Sequence, residues 1–148
     1  MNEDHVKINF RLERDSDDYP PVDVESVWAI PLGSGTYRID NIPFYVRGIS
    51  TDDVVSAMDD RGSLYYDSIV STGGHTTVRV LMANPAETDA IRGELRMRGC
   101  VSELTNIAGL IAVDVPPSVS YAEVREYLAE GEDAGRWEFE EGCVAHPV

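Results

Sequence analysis

Thr76-Thr77-Val78-Arg79-Val80-Leu81-Met82, followed after Ala83 by Asn84-Pro85-Ala86-Glu87, is the stretch on which the fold turns. Its first part is β-branched and apolar, which predicts a strand over 76–82. Its second part has an Asn in the cap position, a proline in the first turn and a glutamate at the third helical place, which predicts a helix over 84–98. Ala90, Ile91 and Leu95 give that helix one apolar stripe, and Gly99 supplies a residue tolerant of positive φ beyond its end. Downstream, 100–105 and 110–115 read as two strands around Asn106-Ile107-Ala108-Gly109, and Pro116-Pro117 stops the second. Ser120-Tyr121-Ala122-Glu123 is a capping box that opens a second helix over 120–134. A final strand, 136–141, turns Trp137 and Phe139 toward the core. The resulting order, strand-helix-strand-strand-helix-strand, is that of a ferredoxin-like unit. Right-handed crossovers put both helices on one face of a four-stranded antiparallel sheet and leave the other face to be covered.

Upstream, Val6, Ile8, Phe10 and Leu12 alternate with Lys7, Asn9 and Arg11, the period-two pattern of a strand with one buried face. The runs 24–32 and 36–40 flank Gly33-Ser34-Gly35 as a hairpin, and 53–58 and 63–70 flank Asp59-Asp60-Arg61-Gly62 as another. Pro43 interrupts the ladder between them. The expected architecture is therefore α+β. Residues 1–72 form a β-rich half, a small barrel or curled antiparallel sheet, and residues 73–148 form the ferredoxin-like half, packed against the first as one compact unit.

The 148 residues carry 12 Lys and Arg against 27 Asp and Glu, a formal charge of -15. That field repels phosphate backbones and anionic lipid, which excludes nucleic acid and membrane surfaces as partners, and it steers basic proteins inward. The opening residues lack a basic stretch with an apolar run behind it, so a cytoplasmic protein is expected. Cys100 and Cys143 have neither the number nor the spacing of a disulfide scaffold or a zinc site, and read as buried thiols.

No nucleophile elbow, dinucleotide fingerprint or phosphate loop occurs, so the sequence leans away from an enzyme and offers no cofactor or catalytic residue. Asp15, Asp17 and Asp18 lack the glycine and distant glutamate that a calcium loop needs, and His5 and His146 lack neighbouring ligands, so both histidines are expected to be exposed and no metal is assigned. The strongest surface signal is Glu130, Glu132, Asp133, Glu138, Glu140 and Glu141 around the second helix end and last strand. With Trp137 as an aromatic anchor, they predict a docking face for a basic protein partner, in the manner of an inhibitor or immunity-type protein. The alternative is a small-molecule or enzyme pocket between the two halves, lined by Trp28, Tyr45, Arg47, His75 and Arg79, in which His75 acts beside Arg79, Asp53 or Tyr45. A homo-oligomer formed through exposed sheet faces is the third expectation.

Four segments carry a resemblance: Tyr37-Arg38-Ile39-Asp40-Asn41-Ile42-Pro43-Phe44, Gly74-His75-Thr76-Thr77-Val78-Arg79-Val80, Ala112-Val113-Asp114-Val115-Pro116-Pro117 and Gly135-Arg136-Trp137-Glu138-Phe139-Glu140-Glu141. Together they resemble the bacterial family called domain of unknown function 4265, from Val6 to about His146. The resemblance implies a bacterial source and brings no activity, cofactor or catalytic residue.

Overall fold

A computed structural model describes residues 4–14 and 19–147. The first five strands, β1 (Val6–Arg11), β2 (Val24–Gly33), β3 (Thr36–Ile39), β4 (Val54–Asp60) and β5 (Ser63–Ser71), close into a barrel. Successive strands pair antiparallel, and a short parallel pairing of Ile8 with Leu64 and Asn9 with Tyr65 joins the last strand to the first. Asn9 reinforces that closure: its amide donates to the Leu64 carbonyl at 3.0 Å while its own oxygen accepts from the Ser26 hydroxyl. Alternation sends Ile8, Phe10, Val27, Ala29, Ile39 and Val55 inward, where Val46 and Ile49 of the loop between β3 and β4 complete the core.

The second half runs β6 (Thr76–Met82), α1 (Thr88–Met97), β7 (Val101–Leu104), β8 (Leu110–Val115), α2 (Tyr121–Asp133) and β9 (Trp137–Cys143). Its four strands pair antiparallel in the order β7-β8-β6-β9. Val78, Val80, Ile111, Val113 and Val115 share one core with Ile91 and Leu95 of α1 and with Tyr121, Val124 and Leu128 of α2. At the second helix the capping box is present in part, with the Ser120 hydroxyl accepting from the Glu123 N–H at 3.4 Å.

Three local differences from expectation have physical causes. The first helix is shorter, because Asn84 accepts the Ala86 N–H and the turn over Pro85–Glu87 is a tighter 3-10 turn. The strand β4 starts one residue late, because the Asp53 carboxylate accepts from the Ser50 and Gly73 N–H groups and pins a loop instead. The last strand extends to Cys143 through a bulge at its pairing with Thr77 and Val78. Among the described residues, no helix is long and apolar enough to cross a membrane.

All six residues of β8 and six of seven in β6 are buried. Helices cover one side of these strands; on the other, Thr77, Arg79, Ala112 and Asp114 lie under the barrel and its loop 41–53. Gly48 donates to the Gly142 carbonyl at 2.8 Å, and the Ser50 and Thr77 hydroxyls meet at 2.6 Å, so the two halves are joined by polar contacts as well as by packing.

Candidate functional site

The seam between barrel and sheet holds the chain's unusual polar groups. Arg79 lies midway along β6 and is 1% exposed. Its Nε donates to the Phe44 carbonyl at 2.8 Å and its Nη2 to the Val46 carbonyl at 2.6 Å. Across the same loop the carboxylate of Glu25, on β2, accepts from the N–H groups of Phe44, Tyr45 and Val46. The peptide groups of 44–46 are thus gripped from both sides, a cation on their oxygens and an anion on their hydrogens. Burial pushes the guanidinium below its ordinary value, and the carboxylates of Glu140 and Glu25 pull it back up.

The last nitrogen of that guanidinium, Nη1, is buried without a hydrogen-bond partner. It lies against Gly142, where an added Cβ would come within 1.6 Å of it. The bulge in β9 and the absence of a side chain at Gly142 make room for the arginine to cross the strand.

A cavity of about 410 Å³ opens beside Arg79, walled by Leu81, Ile107, Leu110 and Phe139 and edged by Tyr19, Glu138 and Glu140. Glu140 accepts from the Tyr19 hydroxyl at 3.0 Å and faces Arg47 at 3.5 Å. Burial and the neighbouring Glu140 push the Tyr19 phenol up to about 12, so it stays a proton donor. A groove of about 790 Å³ continues past Leu81, Phe139 and Glu138 to Gly135 and Glu132 along the β9 edge.

At the other end of the seam, His75 is held between two carboxylates. Its Nδ1 meets Asp114 at 2.9 Å and its Nε2 meets Asp52 at 3.1 Å. Asp52 comes from the barrel loop, with φ at 69°, and Arg38 approaches its far oxygen at 3.8 Å. Burial pushes the Asp114 carboxyl above its ordinary value, and His75 draws it back down. Both ring nitrogens are occupied, so this imidazole ties barrel to sheet and offers no free nitrogen to a substrate.

Several expected sites change with these positions. Trp28 lies on the barrel wall with the Lys7 ammonium 4.9 Å from its ring, and Arg47 is exposed on the rim, where it shares a hollow with Tyr45, while Arg79 lines a different cavity. Tyr45 is buried beside the cavity with its hydroxyl on Asn106. His75 partners Asp52 and Asp114, in place of Arg79, Asp53 or Tyr45.

Trp137 cannot serve as a surface anchor: it is 2% exposed, packs beneath Gly131, and donates from its indole to the Leu128 carbonyl at 2.9 Å. Around it the acidic set is divided. Glu141 accepts from Tyr121 and faces Arg125, Glu132 accepts the Phe139 N–H of the edge strand, and Glu140 faces the barrel, while Glu130, Asp133 and Glu138 are exposed. His146, expected outside, is buried between the Thr76 hydroxyl and the Pro116 carbonyl, and His5 reaches Asp40. Cys143 is half-buried and Cys100 buried, with burial pushing the Cys100 thiol up to about 11. Asp15, Asp17 and Asp18 fall outside the described residues.

Sequence reasoning missed Glu25, Asp52, Asp114 and Gly142. Glu25 was legible in principle, since it shares the inward phase of Val27 and Ala29, and Asp114 is the single charge in an otherwise apolar strand. Asp52 and Gly142 carry no such signal.

One solved structure similar to the chain is described as a novel crystal structure of a hypothetical protein from Neisseria gonorrhoeae. It is 16% identical, with a TM-score of 0.81 over 95% of this chain and 96% of that chain, a likeness of fold alone. Among curated proteins none matches. Residues 25–139 match the family described as Domain of unknown function (DUF4265), and the match spans both the barrel and the sheet. The chain is a member of the DUF4265 family.

Proposed function

We propose that the chain binds a small molecule in the seam between its barrel and its sheet. The observation that carries this reading is the cavity of about 410 Å³, with apolar walls from Leu81, Ile107, Leu110 and Phe139 and a buried arginine at its side. Apolar walls with a few convergent polar groups, at roughly 300–1,000 Å³, are the usual make-up of ligand sites. The test uses Nile red, a neutral fluorophore that brightens in apolar surroundings, with the wild type and Leu81→Trp. Leu81 is 41% exposed at the cavity mouth, so the larger ring fills the opening without disturbing the core. Fluorescence gain in the wild type and its loss in the variant support the reading; equal gain in both removes it.

A second reading has one observation in its favour. Glu130, Asp133 and Glu138 remain exposed on a chain of charge -15, which suits a basic protein partner even without Trp137 as an anchor. In this reading the protein is a cytoplasmic inhibitor or immunity-type protein. The two separate by salt: a charge-steered complex weakens steeply as ionic strength rises, and apolar binding of Nile red hardly responds. The strand order β7-β8-β6-β9, with two helices sharing one core, supports the finer description of the second half as ferredoxin-like.

A further inference from the structure

Resting on the ligand-binding reading above, we infer that the seam cavity takes an organic cation, an amine carried on an apolar body. The polar side chains of its wall fix the sign of the charge. Arg79 has no donor to offer: its Nε and Nη2 bond to the Phe44 and Val46 carbonyls, and its buried Nη1 is packed against Gly142, away from the cavity. The Tyr19 hydroxyl donates to Glu140. The side-chain donors along the wall are therefore engaged or turned away, and its free polar capacity is that of carboxylate oxygens, which only accept. An entering carboxylate or phosphate meets no donor from these side chains. An ammonium, with three donors and no acceptor, meets its complement.

The charges of the seam leave the same remainder. The carboxylates of Glu140 and Glu25 favour the charged form of Arg79, and the Arg47 guanidinium lies 3.5 Å from Glu140. Two cations thus meet two carboxylates, and Glu138 is left over, exposed and without an ion pair among the described residues. Leu81 is the direct partner of Glu138 in the β6–β9 ladder, so the two side chains leave the sheet on the same face, beside each other at the cavity. A ligand that seats its apolar body on Leu81, Ile107 and Leu110 therefore brings an attached ammonium to the Glu138 carboxylate. The net charge of -15 draws any cation toward the chain, and the apolar wall selects among them, because a bare cation gains nothing from covering it.

The test is calorimetric titration of the full chain with phenethylamine at about 0.15 M salt, where exposed charges more than about 8 Å apart are screened. Three comparators separate the parts: 2-phenylethanol keeps the body and lacks the charge, 3-phenylpropionate reverses the charge, and methylammonium keeps the charge and lacks the body. The expected result is saturable binding of phenethylamine, with each comparator weaker by about tenfold or more, as befits loss of one charge-assisted bond or of a buried ring. Glu138→Gln should weaken phenethylamine by about tenfold and leave 2-phenylethanol unchanged. Glu130→Gln removes the same unit of charge from α2, away from the cavity, and should leave phenethylamine unchanged. Leu81→Trp should abolish binding. Leu81, Glu130 and Glu138 are exposed positions, so these variants keep the fold. The inference is overturned by 2-phenylethanol or 3-phenylpropionate binding as tightly as phenethylamine, by an unaltered affinity in Glu138→Gln or Leu81→Trp, or by an equal loss in Glu130→Gln. Nile red binding that is sensitive to Leu81→Trp, with no phenethylamine bound, overturns the ligand class and leaves the pocket standing. Loss of the Nile red response as well removes both.

Discussion

Glu25 and Arg79 hold the same three-residue segment by its backbone, so disturbing either hold should lower stability. Glu25→Ala strands three N–H groups under the barrel and is expected to cost about 3 kcal/mol in urea denaturation, with Glu25→Gln, which keeps an acceptor, costing about half as much. Gly142→Ala is expected to lower stability by about 2 kcal/mol, because its methyl must displace the Arg79 guanidinium. If the alanine at either position leaves the urea midpoint unmoved, the backbone clamp is not a stabilising device. At this scale the sequence was partly legible. The phase of Glu25 with Val27 and Ala29 announces a buried carboxylate, but nothing in the chain announces that its partners are peptide groups twenty residues away. The aromatic character of Trp137 pointed two ways, to core and to interface, and its contact with Gly131 decides for the core.

Among the elements, α1 is tied to α2 and to the residue ahead of β9 through the carboxylate of Glu94. Glu94 accepts from the Tyr127 hydroxyl of α2 and from Arg136 ahead of β9, and these bonds hold its pKa below the ordinary 4.5. A depressed carboxylate contributes stability that is present above the unfolded value and lost as pH falls through the folded one. Thermal midpoints measured downward from pH 5 should therefore fall less steeply in Glu94→Gln than in the wild type. Asp114 has the opposite sign: burial raises it above 3.8, so its contribution is present below that value and lost as pH rises through the folded one. The barrel closure makes its own prediction. Asn9→Ala removes the side-chain link between β1 and β5, and should speed amide exchange at their parallel junction while costing about 1 kcal/mol. Periodicity and caps made the elements legible, with β6 and β8 read to the residue. The β1–β5 pairing was not, since parallel registry between strands so far apart in sequence leaves no local trace.

Across the whole molecule, a charge of -15 self-repels, and salt screens that repulsion. The melting temperature should rise as sodium chloride is increased from about 10 mM to about 500 mM, as the screening length shrinks from roughly 30 Å to a few ångströms. A fall would mean that attractive pairs such as Arg136 with Glu94 and Arg47 with Glu140 outweigh the repulsion. The covering of the second sheet face was legible as a need, because a sheet with helices on one side must meet something on the other. The identity of the groups in that seam was only partly legible, because Thr77 and Arg79 look from sequence like the solvent side of an ordinary strand.

The grip on residues 44–46 is made to atoms that every amino acid but one carries in full. The grip itself therefore sets no side chain at Phe44, Tyr45 or Val46, and what fixes their identity is packing, such as that of Val46 in the barrel core. Proline alone is barred at these places, since the ring deletes a hydrogen that the carboxylate of Glu25 requires.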